Sequence, residues 1–235
     1  MNREYTKRLE YLVKEEGINK LNKATVMICG CGGVGSNVAE ALARSGIGKL
    51  ILVDFDTIDI TNLNRQLMTN KYNIGKSKVD ELAKHLEMIS DCTIETRECF
   101  IDENFKLDEN LDYVVDCIDV LSSKFALVKM CHEANVPVLS SLGTAKRLCP
   151  DGIKYTTLDK TRNDPLAKAF RNIVKKNNYR HKIEVVFIDS PSIQEELNLE
   201  GNTTKERNPL GSSIFTVGSA GLYIAYIVCK KIWEK

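Results

Sequence analysis

The sequence predicts an α/β fold: a Rossmann-like, mainly parallel sheet with helices on both faces and antiparallel strands in the C-terminal part. Two observations predict it. Short apolar runs alternate with segments of helical periodicity through most of the 235 residues. A glycine cluster, Gly30-Cys31-Gly32-Gly33-Val34-Gly35, stands where the first apolar run gives way to a helix. The length suits a single domain over 1–235, divided into a nucleotide-binding half, 1–140, and a substrate and dimer half, 141–235.

The elements follow in order. Residues 25–29 form a strand that stops at glycine, and 36–45 a helix with Val38, Ala39, Leu42 and Ala43 on one face. Residues 49–53 are the next strand, ending on Asp54 and Asp56. A helix over 76–89 places Val79, Leu82, Ala83 and Leu86 together. Strands are expected at 93–99 and, more buried, at 111–117. Ser122 is the expected cap of a helix running to Ala134, and 136–140 is another strand. In the less regular second half, 152–158 and 182–188 read as strands flanking a basic helix at 164–176. The polar stretch 191–209 reads as a long surface loop.

Composition narrows the function. A net charge of +1 gives no global signature for nucleic acid or membrane and leaves room for a local basic patch. The charged N-terminus lacks the apolar run of a secretory signal. Of eight cysteines, six (Cys29, Cys31, Cys99, Cys117, Cys131, Cys229) lie in or beside apolar segments, as buried free thiols would in a cytoplasmic protein. No C-x-x-C pair occurs, so no structural zinc is expected. Residues 212–228 read as a buried helix whose spaced Gly and Ala suit close packing at a subunit interface; a membrane span is the lesser reading. Lys230 and Lys231 after it would suit a membrane surface, which leaves peripheral association open.

The glycine cluster carries the first functional signal. Gly30, Gly32 and Gly35 occupy the positions that allow a tight turn, phosphate approach and close helix–strand packing, with Gly33 inside the same loop. Free N–H groups at the helix start attract anions. Asp54 falls about twenty residues on, where a ribose-binding acid belongs. These features alone do not separate ATP from a dinucleotide. Thr61-Asn62-Leu63-Asn64-Arg65-Gln66 and Gly75-Lys76-Ser77-Lys78 do favour ATP, because a triphosphate needs an arginine and a lysine of this kind at the mouth of the loop. Asp119, just past the strand 111–117, can hold Mg²⁺ against phosphates, whereas Asp116 is embedded in the strand. A redox or NAD-sensing protein, or a non-catalytic scaffold, are the readings from other classes.

Taken together, GCGGVGS, LVDFD, TNLNRQ, GKSK and VVDCID, in that order, resemble the ThiF/MoeB/HesA superfamily, related to ubiquitin-activating enzymes. The resemblance implies that Asp54 meets the nucleotide, Arg65 and Lys78 the phosphates, Asp119 the magnesium, and that Asn62 sits beside the phosphates. It also implies a homodimer in which Arg8 reaches the partner subunit's ATP site. The implied chemistry is attack of a carboxylate on the α-phosphate of ATP, giving an acyl-adenylate and pyrophosphate. In the second half, SSLGTAKRLCPDGIKYTTLDKTRNDPLAKAFR, VVFIDSPS and NPLGSSIFTVGSAGL resemble the tRNA threonylcarbamoyladenosine dehydratases. That branch implies tRNA as substrate, with Lys168, Arg171, Lys175, Lys176 and Arg180 as a basic run suited to its phosphates. LGTAKRL replaces a more glycine-rich turn of that branch. The alternative is adenylation of the C-terminus of a ubiquitin-like sulfur-carrier protein.

Overall fold

In the computed structural model, which describes residues 4–190, 192–193 and 210–235, every strand joins one sheet of order β3-β2-β1-β4-β5-β7-β6. The strands are β1 (Thr25–Cys29), β2 (Lys49–Asp54), β3 (Thr93–Glu98), β4 (Tyr113–Asp116), β5 (Val138–Ser141), β6 (Ile153–Thr157) and β7 (Glu184–Ile188). All pairings are parallel except β6 with β7. The helices are α1 (Lys7–Lys23), α2 (Gly33–Arg44), α3 (Lys78–Glu87), α4 (Leu121–Glu133), α5 (Pro165–Lys176) and α6 (Ile214–Trp233). A central parallel strand is covered on both faces, which is why β1, β2 and β4 are apolar almost without interruption. Alternate residues split between two cores: Val26, Ile28, Leu50 and Leu52 face α1, α2, α3 and α6, while Met27, Cys29 and Val114 face α4 and α5.

Three expectations need correction. Helix α2 begins at Gly33 rather than Ser36, because the glycine loop supplies the helix's own first turn. Ser122 is not the cap of α4: the N-cap is Val120, without a side-chain bond, and Ser122 already lies in the helix. The small-residue face of α6 is spent inside the chain. A Cβ at Gly221 would stand 2.6 Å from the Asn37 Cβ and 2.8 Å from the Val34 carbonyl oxygen, so α2 occupies that face. What α6 turns outward is Ile214, Phe215, Leu222 and Tyr226. By length and composition α6 could cross a membrane, yet half of it is buried in this fold. Lys231 is held at 2.5 Å by Glu184. The stretch 191–209 lies outside the described residues except for 192 and 193.

Helix α1 is broken at Lys14, whose backbone (φ 64°, ψ 168°) is not helical. Beyond the break Gly17, Ile18 and Leu21 are buried, whereas Tyr11 and Leu12 before it are 75% and 80% exposed. Asp164 begins α5 as expected, accepting from the Ala167 N–H at 3.1 Å with Pro165 at the first helical position.

Candidate active site

The order of the sheet reverses between β1 and β4, and a crevice opens where their carboxyl ends part. It is a cavity of about 350 Å³. The glycine loop forms one wall because nothing bulkier fits. Gly30 has φ +91°, and a Cβ at Gly35 would stand 1.8 Å from the Gly30 carbonyl oxygen. A Cβ at Gly32 would meet only the end of Gln66, at 3.9 Å, so that position leaves room toward the cavity.

Asp54 closes β2 and is buried, and burial pushes its carboxyl up from the usual range. Its Oδ2 accepts from the Cys31 N–H at 2.6 Å and its Oδ1 from the Asp56 N–H at 2.9 Å. Asp54 therefore clamps the glycine loop to the end of β2, with lone pairs left for a ligand hydroxyl. Asn62 is buried in a capping box: its Oδ1 accepts from the Asp59 N–H at 3.1 Å, and Asp59 accepts from the Thr61 N–H at 2.8 Å. This turn presents Arg65. The Arg65 Nη1 donates to the Thr61 carbonyl and to Asn64 Oδ1, both at 2.9 Å, which leaves the other N–H groups without a partner among the described residues. Lys78 begins α3, nearly buried, with Nζ 2.6 Å from Asp56 Oδ2. Asp119 is exposed on the cavity wall, and its carboxylate has no partner among the described residues.

Beneath Asp119 lies an ion pair that sequence reasoning missed. Lys124 Nζ stands 2.8 Å from Asp116 Oδ2, and both side chains are 0% exposed. Asp116 also accepts from Ser140 Oγ at 2.6 Å and from the Ile118 N–H at 3.1 Å, and Lys124 donates to the Ser141 carbonyl at 2.9 Å. The pair ties the turn carrying Asp119 to the end of β5. Phe55 and Phe100 were also missed. They are half exposed, meet edge-on with centroids 5.1 Å apart, and line the cavity. Two buried side-chain atoms of the wall, Gln66 Oε1 and Ser123 Oγ, lack a hydrogen-bond partner among the described residues, as the walls of a polar ligand's site would.

A match to the ThiF family spans residues 5–147. The chain belongs to the ThiF family. The tRNA threonylcarbamoyladenosine dehydratase of Bacillus subtilis is 36% identical over 226 residues, 92% of this chain and 89% of that protein. Its counterpart in Haemophilus influenzae is 32% identical over 239 residues, 95% of this chain and 91% of that one. The crystal structure of E. coli tRNA N6-threonylcarbamoyladenosine dehydratase, TcdA, in complex with ATP superimposes with a TM-score of 0.88 at 27% identity, covering 99% of this chain and 95% of that chain.

In this ThiF-family chain the cavity is lined by Gly30, Gly32, Gly33, Asp54, Asn62, Arg65, Lys78 and Asp119 together. Gly35 lies just behind it, packed on Gly30. Arg8 is not brought there: it is exposed on the outward half of α1.

Proposed function

We propose that this chain is an ATP-dependent adenylating enzyme that acts on the threonylcarbamoyl group of tRNA threonylcarbamoyladenosine. The observation that carries the reading is the likeness to dehydratases through both halves of the chain, joined to a cavity in which Arg65, Lys78 and Asp119 converge. The substrate carboxylate attacks the α-phosphorus of ATP, the bond to the β-phosphate oxygen breaks, and pyrophosphate leaves. The substrate side chain then closes on its own activated carbonyl and releases AMP, with net loss of water. No protein nucleophile is needed. The glycine-loop N–H groups and the free N–H groups of Arg65 face the phosphates, and Lys78 keeps two N–H groups beyond its bond to Asp56.

Three carboxylates line the cavity (Asp54, Asp56, Asp119) against the two cations Arg65 and Lys78, too little positive charge for a triphosphate. Among the described residues no three metal-ligating side chains cluster. A single free carboxylate still fits magnesium, which is commonly bound by one or two carboxylates plus the substrate's phosphates and water. Asp119 would hold the ion, which would neutralise charge building on the leaving pyrophosphate. The reading includes a homodimer working in the cytoplasm. Arg8 lies outside its own cavity, and the exposed Tyr11, Leu12, Phe215, Leu222 and Tyr226 on α1 and α6 offer a face to a second copy. The test supplies ATP and threonylcarbamoylated tRNA, then analyses nucleosides by mass spectrometry without strong base. ATP-dependent loss of one water, with AMP released, supports the reading. An unchanged nucleoside with adenylation of a sulfur-carrier protein overturns it.

A further inference from the structure

The cavity does not end at Asp119. At Phe100, Ile101 and Ser123 it opens into a groove of about 620 Å³ that follows α4 past Phe125 and Met130 to Asn177, just beyond α5. Helix α4 has 13 residues, so the groove carries about 20 Å from the cavity. At its far end the chain concentrates cations, several of them outside any ion pair among the described residues. Lys175, Lys176 and Arg180 are exposed and enter no ion pair with a described residue, and Lys182 extends the run. Elsewhere surface cations are commonly matched: Lys84 to Glu81, Arg97 to Asp108, Lys154 and Arg162 to Asp189, Lys231 to Glu184. The C-terminus of α5 favours positive charge and accounts for Lys175 and Lys176. It does not account for Arg180, which lies past the helix, whereas Lys182 lies within electrostatic reach of Asp159.

The same turn is stiffened by rings. His132 bonds the Tyr179 hydroxyl and lies parallel to its ring, Phe125 meets Tyr179 edge-on at 5.4 Å, and His181 stands 5.2 Å from both His132 and Tyr179. His181 is the exposed member. Arg171 does not belong to this surface, because it donates to the Leu158 and Thr161 carbonyls and to the Thr161 hydroxyl.

Building on the adenylation reading, we infer that the turn 175–182, reached from the cavity along α4, is the docking surface for the RNA strand that carries the reacting nucleotide. Three separate features converge there: unmatched cations at a set distance from the chemistry, an exposed ring on a rigid support, and a continuous groove between the two sites. A stacked strand places one phosphate about every 3.4 Å, so 20 Å spans about six phosphates. Asp102, Glu103 and Glu133 also line the groove, so it takes bases and riboses while the phosphates meet the cations at its far end. His181 offers its face to a base.

The experiment measures binding of threonylcarbamoylated tRNA between 50 and 200 mM salt, ATP binding, and dehydration, for the whole protein. In the variant carrying Lys175→Glu, Lys176→Glu and Arg180→Glu, the slope of log affinity against log salt should fall by about 2–3. Affinity at 50 mM salt should drop at least tenfold, with ATP binding unchanged. His181→Ala should weaken tRNA binding several-fold, and His181→Phe should restore it. Unchanged slope and affinity in the triple variant, with normal dehydration by the parent protein, overturn this surface while the adenylation reading stands. A parent protein that neither binds nor dehydrates tRNA overturns both.

Discussion

Replacing Lys124 with methionine tests the buried pair below the cavity. Both partners are 0% exposed, and among the described residues Asp116 would keep only the Ser140 hydroxyl and the Ile118 N–H as hydrogen-bond donors to its carboxylate. Removing one member of a buried ion pair typically costs about 3–5 kcal/mol, because the remaining charge stays desolvated and unmatched. Methionine fills much of the lysine's volume, so cavity formation adds little. With a urea m-value of roughly 2–3 kcal/mol per molar, the midpoint should fall by about 1–2 M. The assay is equilibrium urea unfolding followed by far-UV circular dichroism, with Trp233 fluorescence as the second probe. Adding Asp116→Asn to Lys124→Met should recover a large part of the loss, since the stranded charge is then gone. A loss below about 1 kcal/mol for Lys124→Met, or a double variant no more stable than the single, would refute the reasoning.

Asp119→Ala should nearly abolish AMP formation while leaving the unfolding midpoint in place; ordinary turnover at ordinary Mg²⁺ rules out its assignment as the metal ligand. If Arg8 acts across the dimer, mixing Arg8→Ala with Asp119→Ala chains should restore part of the activity, and a chain that is monomeric at working concentration excludes this. Burial pushes the Cys117, Cys131 and Cys229 thiols up to about 12 and raises Cys29 and Cys31 too, so at pH 8 they stay protonated. Alkylation of native protein at that pH, read by peptide mass spectrometry, should therefore label the exposed Cys149 first. Metal analysis of a chelator-treated sample should return no stoichiometric zinc; finding it would give these thiols a second role.

Local patterns carried most of this structure into the sequence. The run 25–29 becomes β1 without a shift, because four apolar residues after Thr25, ending at glycine, have few other ways to be buried. The residues lining the cavity were legible for a similar reason: the glycine loop, Arg65 and Lys78 sit at fixed distances from strand ends. Lys124 was not legible. In LSSKFALVKMCHE a lysine looks like part of a solvated helix face, and only β4 and β5 together supply the carboxylate and carbonyl that hold it inside. Asp54 was legible as a candidate for the cavity wall, where it stands, but its hold on the Cys31 N–H was hidden, since that contact exists only once β1 and β2 lie side by side. The glycines of α6 announced close packing correctly and left the identity of the neighbour open, because a small residue fits α2 as well as it would fit a second subunit.

The break at Lys14 bears on how the outer half of α1 is aimed. A non-glycine residue with φ 64° and ψ 168° sits in a region that costs on the order of 1–3 kcal/mol, so the surrounding structure must hold it there. Leu9 and Val13 reach back to the core, while Tyr11 and Leu12 point away. The arm bearing Arg8 thus takes its direction from the backbone itself, like a bracket bent before assembly. A glycine at this position would relax the strain and free the bend with it. The chain would become more stable as a separate body and less certain about where its N-terminal arm should go.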